Sequence, residues 1–177
     1  YGDGGAVVTN DDEVAETLRQ LRNYGQTIKY HHDQLGFNHR LDSIQAAVLN
    51  VKLKYLDAWN AGRRKNAALY VKQLANTEGI ILPHVPASVE PVWHIFAVRV
   101  KKRDEMLAFL KENGVSSGIH YPIPIHLQKS YRYLEYEKGD FPITEEIAEE
   151  LISLPMCAEL TEDMIGYVCD KIKEFLG

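Results

Sequence analysis

Two cysteines in 177 residues, Cys157 and Cys169, with no C-x-x-C spacing, exclude a disulfide framework and a cysteine-based zinc site. They read as buried free thiols of a reducing compartment. His31, His32 and His39 lack cysteine or acidic companions, and His120 and His126 stand six residues apart, so no metal site is expected. No apolar run approaches the ~20 residues of a membrane span, and no leader-like segment opens the sequence. The expectation is a cytoplasmic protein with no membrane partner. Positive charge is also short. With 20 Lys and Arg against 25 Asp and Glu, the net charge is -5 and the pI near 5.8, which argues against a general nucleic-acid binder. A phosphate-cradling GxxxxGK loop, a nucleophile elbow and an isolated carboxylate pair are all missing. What remains is ordinary for a soluble globular chain: 45% hydrophobic and 25% charged residues. A chain this long forms one or two domains and buries roughly 70% of its unfolded surface.

The densest concentration of ligand-gripping side chains is the stretch YHHDQLGFNHRLDSIQ, Tyr30 to Gln45. It carries Tyr30, His31, His32, Asn38, His39 and Arg40 where a Gly-containing loop meets a helix start. Such a junction offers unpaired N–H groups and the positive end of the helix dipole, which suits a phosphate. A merely solvated connection would look similar. Asp42 and Gln45 have capping-box spacing, so a helix starts at Asp42 or Ser43.

Along the chain, Gly2, Gly4 and Gly5 suit either a tight turn or a close backbone approach to a ligand. Ala6 to Thr9 reads as a strand. Asn10 or Asp11 caps a helix carrying Val14, Leu18 and Leu21, which Gly25 ends. From Asp42 the apolar periodicity predicts one helix towards Leu74, bent near Gly62, ~50 Å long and bridging two domains. Pro83, Pro86 and Pro91 mark a break. Val92 to Val100 reads as a strand, Arg103 to Asn113 as a helix and Val115 to Tyr121 as a second strand. Glu145 to Ile152 reads as a short helix, Leu154 to Met156 as an extended piece, and Thr161 to Phe175 as a capped helix. The order predicts a small α+β domain from about Pro91. Its loop His120-Tyr121-Pro122-Ile123-Pro124-Ile125-His126 places two imidazoles on a proline-stiffened wall. Trp93 and His94 read as core. These residues define a polar pocket but no reaction.

YGDGGAVVTNDDEVAETLRQLRNYGQ, YHHDQLGFNHRLDSIQAAVLNVKLKYLDAWN, GIHYPIPIHLQKSY and SLPMCAELTEDMI, in this order and spacing, resemble the DegT/DnrJ/EryC1/StrS family of sugar aminotransferases. The resemblance covers nearly the whole chain. It implies an α/β protein, the C-terminal part of a fold-type I transferase that uses pyridoxal 5'-phosphate. Residues 1–60 would be the end of the large cofactor-binding domain with the start of the bridging helix, and 61–177 the small α+β domain. The implied reaction moves an amino group, with glutamate as donor, to a keto sugar linked to a nucleotide. The implied assembly is a homodimer with shared active sites.

By the same resemblance, Asn38 bonds the cofactor phosphate of the neighbouring subunit. Tyr30, His31, Arg40, His120, Tyr121 and His126 face the substrate. Arg40 has a second reading, as the partner of Asp33 or Asp42. The lysine that binds the cofactor covalently would lie before Tyr1, and Lys29 does not match its place, so no catalytic residue is expected within this sequence. The alternative function is a non-catalytic sugar-nucleotide-binding or regulatory protein of the same fold.

Overall fold

The structure, a computed structural model, describes residues 4–177. Gly2, one of the three glycines that suit a turn or a close backbone approach, lies outside the described residues. The chain forms two compact units, Tyr1–Leu56 and Asp57–Gly177. The sequence reading divides the chain four residues later, after residue 60.

In the first unit, helix α1 (Asp12–Leu21) begins where the Asp11 carboxylate accepts the N–H groups of Glu13 and Val14 at 2.9 and 3.1 Å. Asp12 and Glu13 in its first turn suit the positive dipole end. A short antiparallel hairpin follows, β1 (Gln26–Ile28) against β2 (His31–His32). Gly25, at φ +70°, is where this hairpin leaves the helix. A Cβ there would sit 1.8 Å from the Gln34 carbonyl oxygen, and one on Gly36 would sit 2.0 Å from the Gly25 nitrogen. Only glycines allow the two backbones to touch. Helix α2 (Ser43–Leu53) opens on the capping box expected from Asp42 and Gln45, with the Asp42 N–H donating to Gln45 Oε1 at 3.4 Å.

Two expectations fail in this unit. Ala6 to Thr9 forms no ladder, and Val8 is 93% exposed. The segment has the composition of a strand, but no described strand lies beside it to take its backbone hydrogen bonds. The single long helix is two helices, with α2 ending at Leu53 and α3 (Leu56–Leu74) starting after Tyr55. The interruption is not at Gly62. That glycine instead admits a neighbouring loop, because a Cβ on it would lie 3.1 Å from the Ala158 carbonyl oxygen.

The second unit is a three-stranded antiparallel sheet in the order β3-β4-β5, formed by β3 (Ile80–Ile81), β4 (Phe96–Val100) and β5 (Leu151–Leu154). Phe96, Val98 and Val100 alternate onto the buried face, as period-two geometry requires. They meet α3 and the helices α4 (Arg103–Glu112) and α6 (Glu162–Leu176) in one core with Tyr70, Met106, Leu110, Ile152 and Ile165. Each such side chain contributes about 1.5–3 kcal/mol when fully buried. Two polar side chains entering this core are satisfied. The Tyr70 hydroxyl donates to the Pro155 carbonyl at 3.0 Å, and Asn66 Nδ2 donates to the Cys157 carbonyl at 2.8 Å. Cys169 is buried, which pushes its thiol up to about 11, whereas Cys157 is exposed, contrary to expectation.

Three further boundaries shift. The expected strand from Val115 to Tyr121 reduces to one bridge, Gly118 to Ser153. The strand expected from Val92 starts later: Trp93 sits at φ +53°, His94 and Ile95 bend, and β4 begins at Phe96. Helix α5 spans Pro142–Glu150, with proline at its first turn, and Leu151 leaves it for β5. Ile147 and Leu151 have helical spacing, but pairing of Val98 with Ile152 and Phe96 with Leu154 overrides it.

Candidate functional site

The first unit presents its polar loop on a short backbone ladder. Phe37 N–H donates to the Leu21 carbonyl at 2.7 Å, Tyr24 N–H to Phe37 at 2.9 Å, and His39 N–H to Arg22 at 2.9 Å. This extended piece sends alternate side chains to opposite sides. Phe37 and His39 stack on one side, their rings 5.1 Å apart. On the other, Arg40 Nε donates to Asn38 Oδ1 at 2.8 Å. A guanidinium can only donate, so the Asn38 amide must turn its oxygen to Arg40 and its NH2 group away.

Arg40 also lies over the Tyr24 ring, 5.7 Å from its centroid. Its second reading, an ion pair with Asp33 or Asp42, is not what the geometry gives. Asp33 accepts from the Thr27 hydroxyl, and Asp42 caps α2. Among the described residues, no carboxylate pairs with Arg40.

Tyr30 occupies the hairpin turn at φ +73°, with Lys29 Nζ 5.0 Å from its ring centroid. Tyr24, Thr27, Lys29, Tyr30 and Arg40 line an open hollow of about 390 Å³. His31 is exposed on β2 opposite Ile28 and does not line this hollow. His32 is held in the hairpin by its Nδ1, 2.8 Å from the Tyr24 carbonyl oxygen.

In the second unit, His120 Nδ1 lies 2.9 Å from Ser153 Oγ on β5, and its ring meets Tyr121 edge-on at 5.5 Å. The peptide between them is cis. Tyr121 is 73% exposed. His126 differs. Its ring packs on Phe141 at 4.8 Å, and Nε2 lies 2.9 Å from Glu145 Oε1, with the two side chains only 8% and 10% exposed. A carboxylate accepts, so His126 carries its proton on Nε2. His126 thus faces inward to Glu145 in this unit instead of lining an open wall.

Glu145 is the functional candidate that sequence reasoning missed. Both its oxygens also receive the Gly139 N–H, at 2.8 and 3.1 Å. That backbone donor, seconded by His126, holds its carboxyl below the usual carboxylate range against the opposing effect of burial. In the run Thr144-Glu145-Glu146, nothing distinguishes this acid from its neighbour. Glu146 and Glu150 instead pair with Arg99, fastening α5 to β4.

The chain has the fold of one part of a fold-type I aminotransferase. A crystal structure of DesV from S. venezuelae superposes with a TM-score of 0.91 at 42% identity, over 96% of this chain and 46% of that one. Residues 1–173 match the DegT/DnrJ/EryC1/StrS aminotransferase family, and the chain belongs to it. A pleiotropic regulatory protein of Geobacillus stearothermophilus is 46% identical over 99% of this chain and 48% of its own length. The dTDP-3-amino-3,4,6-trideoxy-alpha-D-glucose transaminase of Streptomyces venezuelae is 44% identical over 99% and 46%. The chain spans about half the length of the curated relatives it matches.

Proposed function

We propose that the protein to which this chain belongs is a pyridoxal phosphate-dependent aminotransferase that passes an amino group, from glutamate, to a keto sugar linked to a nucleotide. The observation that carries the reading is the Asn38–Arg40 pair. An amide whose oxygen is already engaged offers only N–H donors, and beside it stands a guanidinium that has no carboxylate partner among the described residues. That donor set fits an anionic phosphate and suits no cation. When bound, pyridoxal phosphate supplies the electron sink for amino transfer.

This chain's own residues bind and orient. Asn38 donates to the phosphate of the neighbouring subunit's cofactor in a homodimer with shared sites. Arg40, with Tyr30 beside it on the hollow, meets a phosphate of the sugar nucleotide. His31, His120 and Tyr121 are assigned to the substrate side, with His126 behind them. Proton transfer is assigned to none of these residues. Nor is it assigned to Lys29, whose ammonium lies over Tyr30 in an exposed turn. The proposed compartment is the cytoplasm; no helix among the described residues is long and apolar enough to cross a membrane.

The test is the intact mass of the protein from its native source, before and after borohydride reduction with pyridoxal phosphate. A mass roughly twice 20.2 kDa, rising by one reduced cofactor, is expected. In that protein Asn38→Ala lowers cofactor affinity about tenfold, the worth of a hydrogen bond to a charged group. Unchanged affinity removes the role given to Asn38. A second reading, a non-catalytic regulator of the same fold, is favoured by the 46% identity to the Geobacillus regulatory protein. A mass near 20.2 kDa without adduct selects it.

A further inference from the structure

The segment from His120 to Gly139 carries four partly or largely exposed tyrosines, Tyr121, Tyr131, Tyr133 and Tyr136, on short 3-10 turns and irregular backbone. Nothing regular holds such a segment, so its conformation depends on a few fastenings. One is at its start, where His120 meets Ser153 on β5. Two more converge on a single side chain. Glu145, from the first half of α5, takes the His126 ring near the front of the segment and the Gly139 N–H at its end, closing the twelve residues between them onto one carboxylate. The base of this fastening is itself fixed. Arg99 on β4 grips Glu146 and Glu150, and Arg103 Nη1 donates to the Ala148 carbonyl at 2.7 Å. Phe141 then seals the joint, with His126 at 4.8 Å and Tyr136 at 5.1 Å.

We propose that Glu145 is a positioning residue for the sugar-nucleotide substrate: it sets the shape of the His120–Gly139 segment and, through that segment, the affinity for the nucleotide part of the substrate. This rests on the functional reading above, which assigns His120 and Tyr121 to the substrate. Glu145 itself touches no ligand. A purely structural glutamate would change overall stability and leave affinity among folded molecules untouched. A positioning glutamate changes nucleotide affinity while cofactor retention and the sheet stay as they are.

The experiment uses the complete protein with UDP and dTDP as probes. Binding is measured by calorimetry, cofactor content by absorbance, and exchange of backbone amides by mass spectrometry. For whichever nucleotide the unaltered protein binds, Glu145→Ala is expected to weaken binding about tenfold, whereas Glu145→Gln, which keeps an acceptor of the same shape, loses about twofold. His126→Phe, which keeps packing on Phe141 but removes one of the bonds to Glu145, falls between them. Amides in 120–139 exchange faster in Glu145→Ala, while those of β4 do not. Equal nucleotide affinity in all three variants overturns the proposal, as does a loss of affinity matched by loss of cofactor and of protection in β4. An unaltered protein that binds neither nucleotide fails the functional reading itself and takes the proposal with it, a result distinct from binding that Glu145 does not control.

Discussion

At the scale of single residues, two kinds of position behave differently. Asn38 and Arg40 announce themselves as polar groups before a helix, and their identity alone limits what they can hold. What identity cannot show is that Arg40 turns the Asn38 amide, because that depends on an extended backbone placing residues two apart on one side. Glu145 was invisible for a related reason. Its meaning comes from a backbone N–H and an imidazole that the chain brings back to it, and local sequence encodes neither. The glycines give a residue-scale prediction. A Cβ on Gly36 would lie 2.0 Å from the Gly25 nitrogen and 2.5 Å from the Tyr24 carbonyl carbon. Both neighbours are backbone, so Gly36→Ala must push apart the ladder that carries Asn38, at about 1–3 kcal/mol. Amides of Tyr24, Phe37 and His39 should exchange at least tenfold faster in this variant; unchanged protection would show that the ladder has room to spare.

At the scale of elements, capped helices were legible because their signals are local. The Asp11 cap, the Asp42–Gln45 box and the Thr161 cap all form as spacing predicts, the last with Met164 N–H donating to Thr161 Oγ1 at 3.3 Å. Strands were less legible, since pairing decides them. Ala6 to Thr9 has the composition without a partner, and Leu151–Leu154 has partners despite helical spacing. Helix α5 and the segment it fastens yield a pH prediction. The Glu145 carboxyl is held below its unfolded value, so its contribution is complete above the usual carboxylate range and is lost as pH falls through the lowered value. Proteolysis of the 120–139 segment should therefore accelerate on acidification. Subtracting the Glu145→Gln profile isolates this group from the other carboxylates. Parallel profiles for the two proteins would show that another acid governs the segment.

At the scale of the whole molecule, the two units differ in what holds them. Among its described residues, the first unit buries only Gly25, whereas the second builds a continuous core around Tyr70, Phe96 and Leu110. Hydrophobic burial is the main force opposing chain entropy, so the second unit has the means to fold alone and the first does not. A fragment of residues 57–177 is expected to melt cooperatively. A fragment of residues 4–56 is expected to show no cooperative transition by circular dichroism. Two independent transitions would mean that the loop ladder and α2 suffice without a core.

The sequence by itself determined the family, the capped helices, the α+β character of the second unit and the polar loop before α2, because these rest on residue identity and on spacings within one or two turns. Only the tertiary structure decided where the long helix breaks, which segments become strands, that Arg40 orients Asn38, and that one glutamate closes the His120–Gly139 segment. The strand pairings and the closure by Glu145 depend on hydrogen-bond partners supplied by residues elsewhere in the chain, and the Arg40–Asn38 contact depends on an extended backbone that Leu21 and Arg22 hold; such pairings are set when the chain folds.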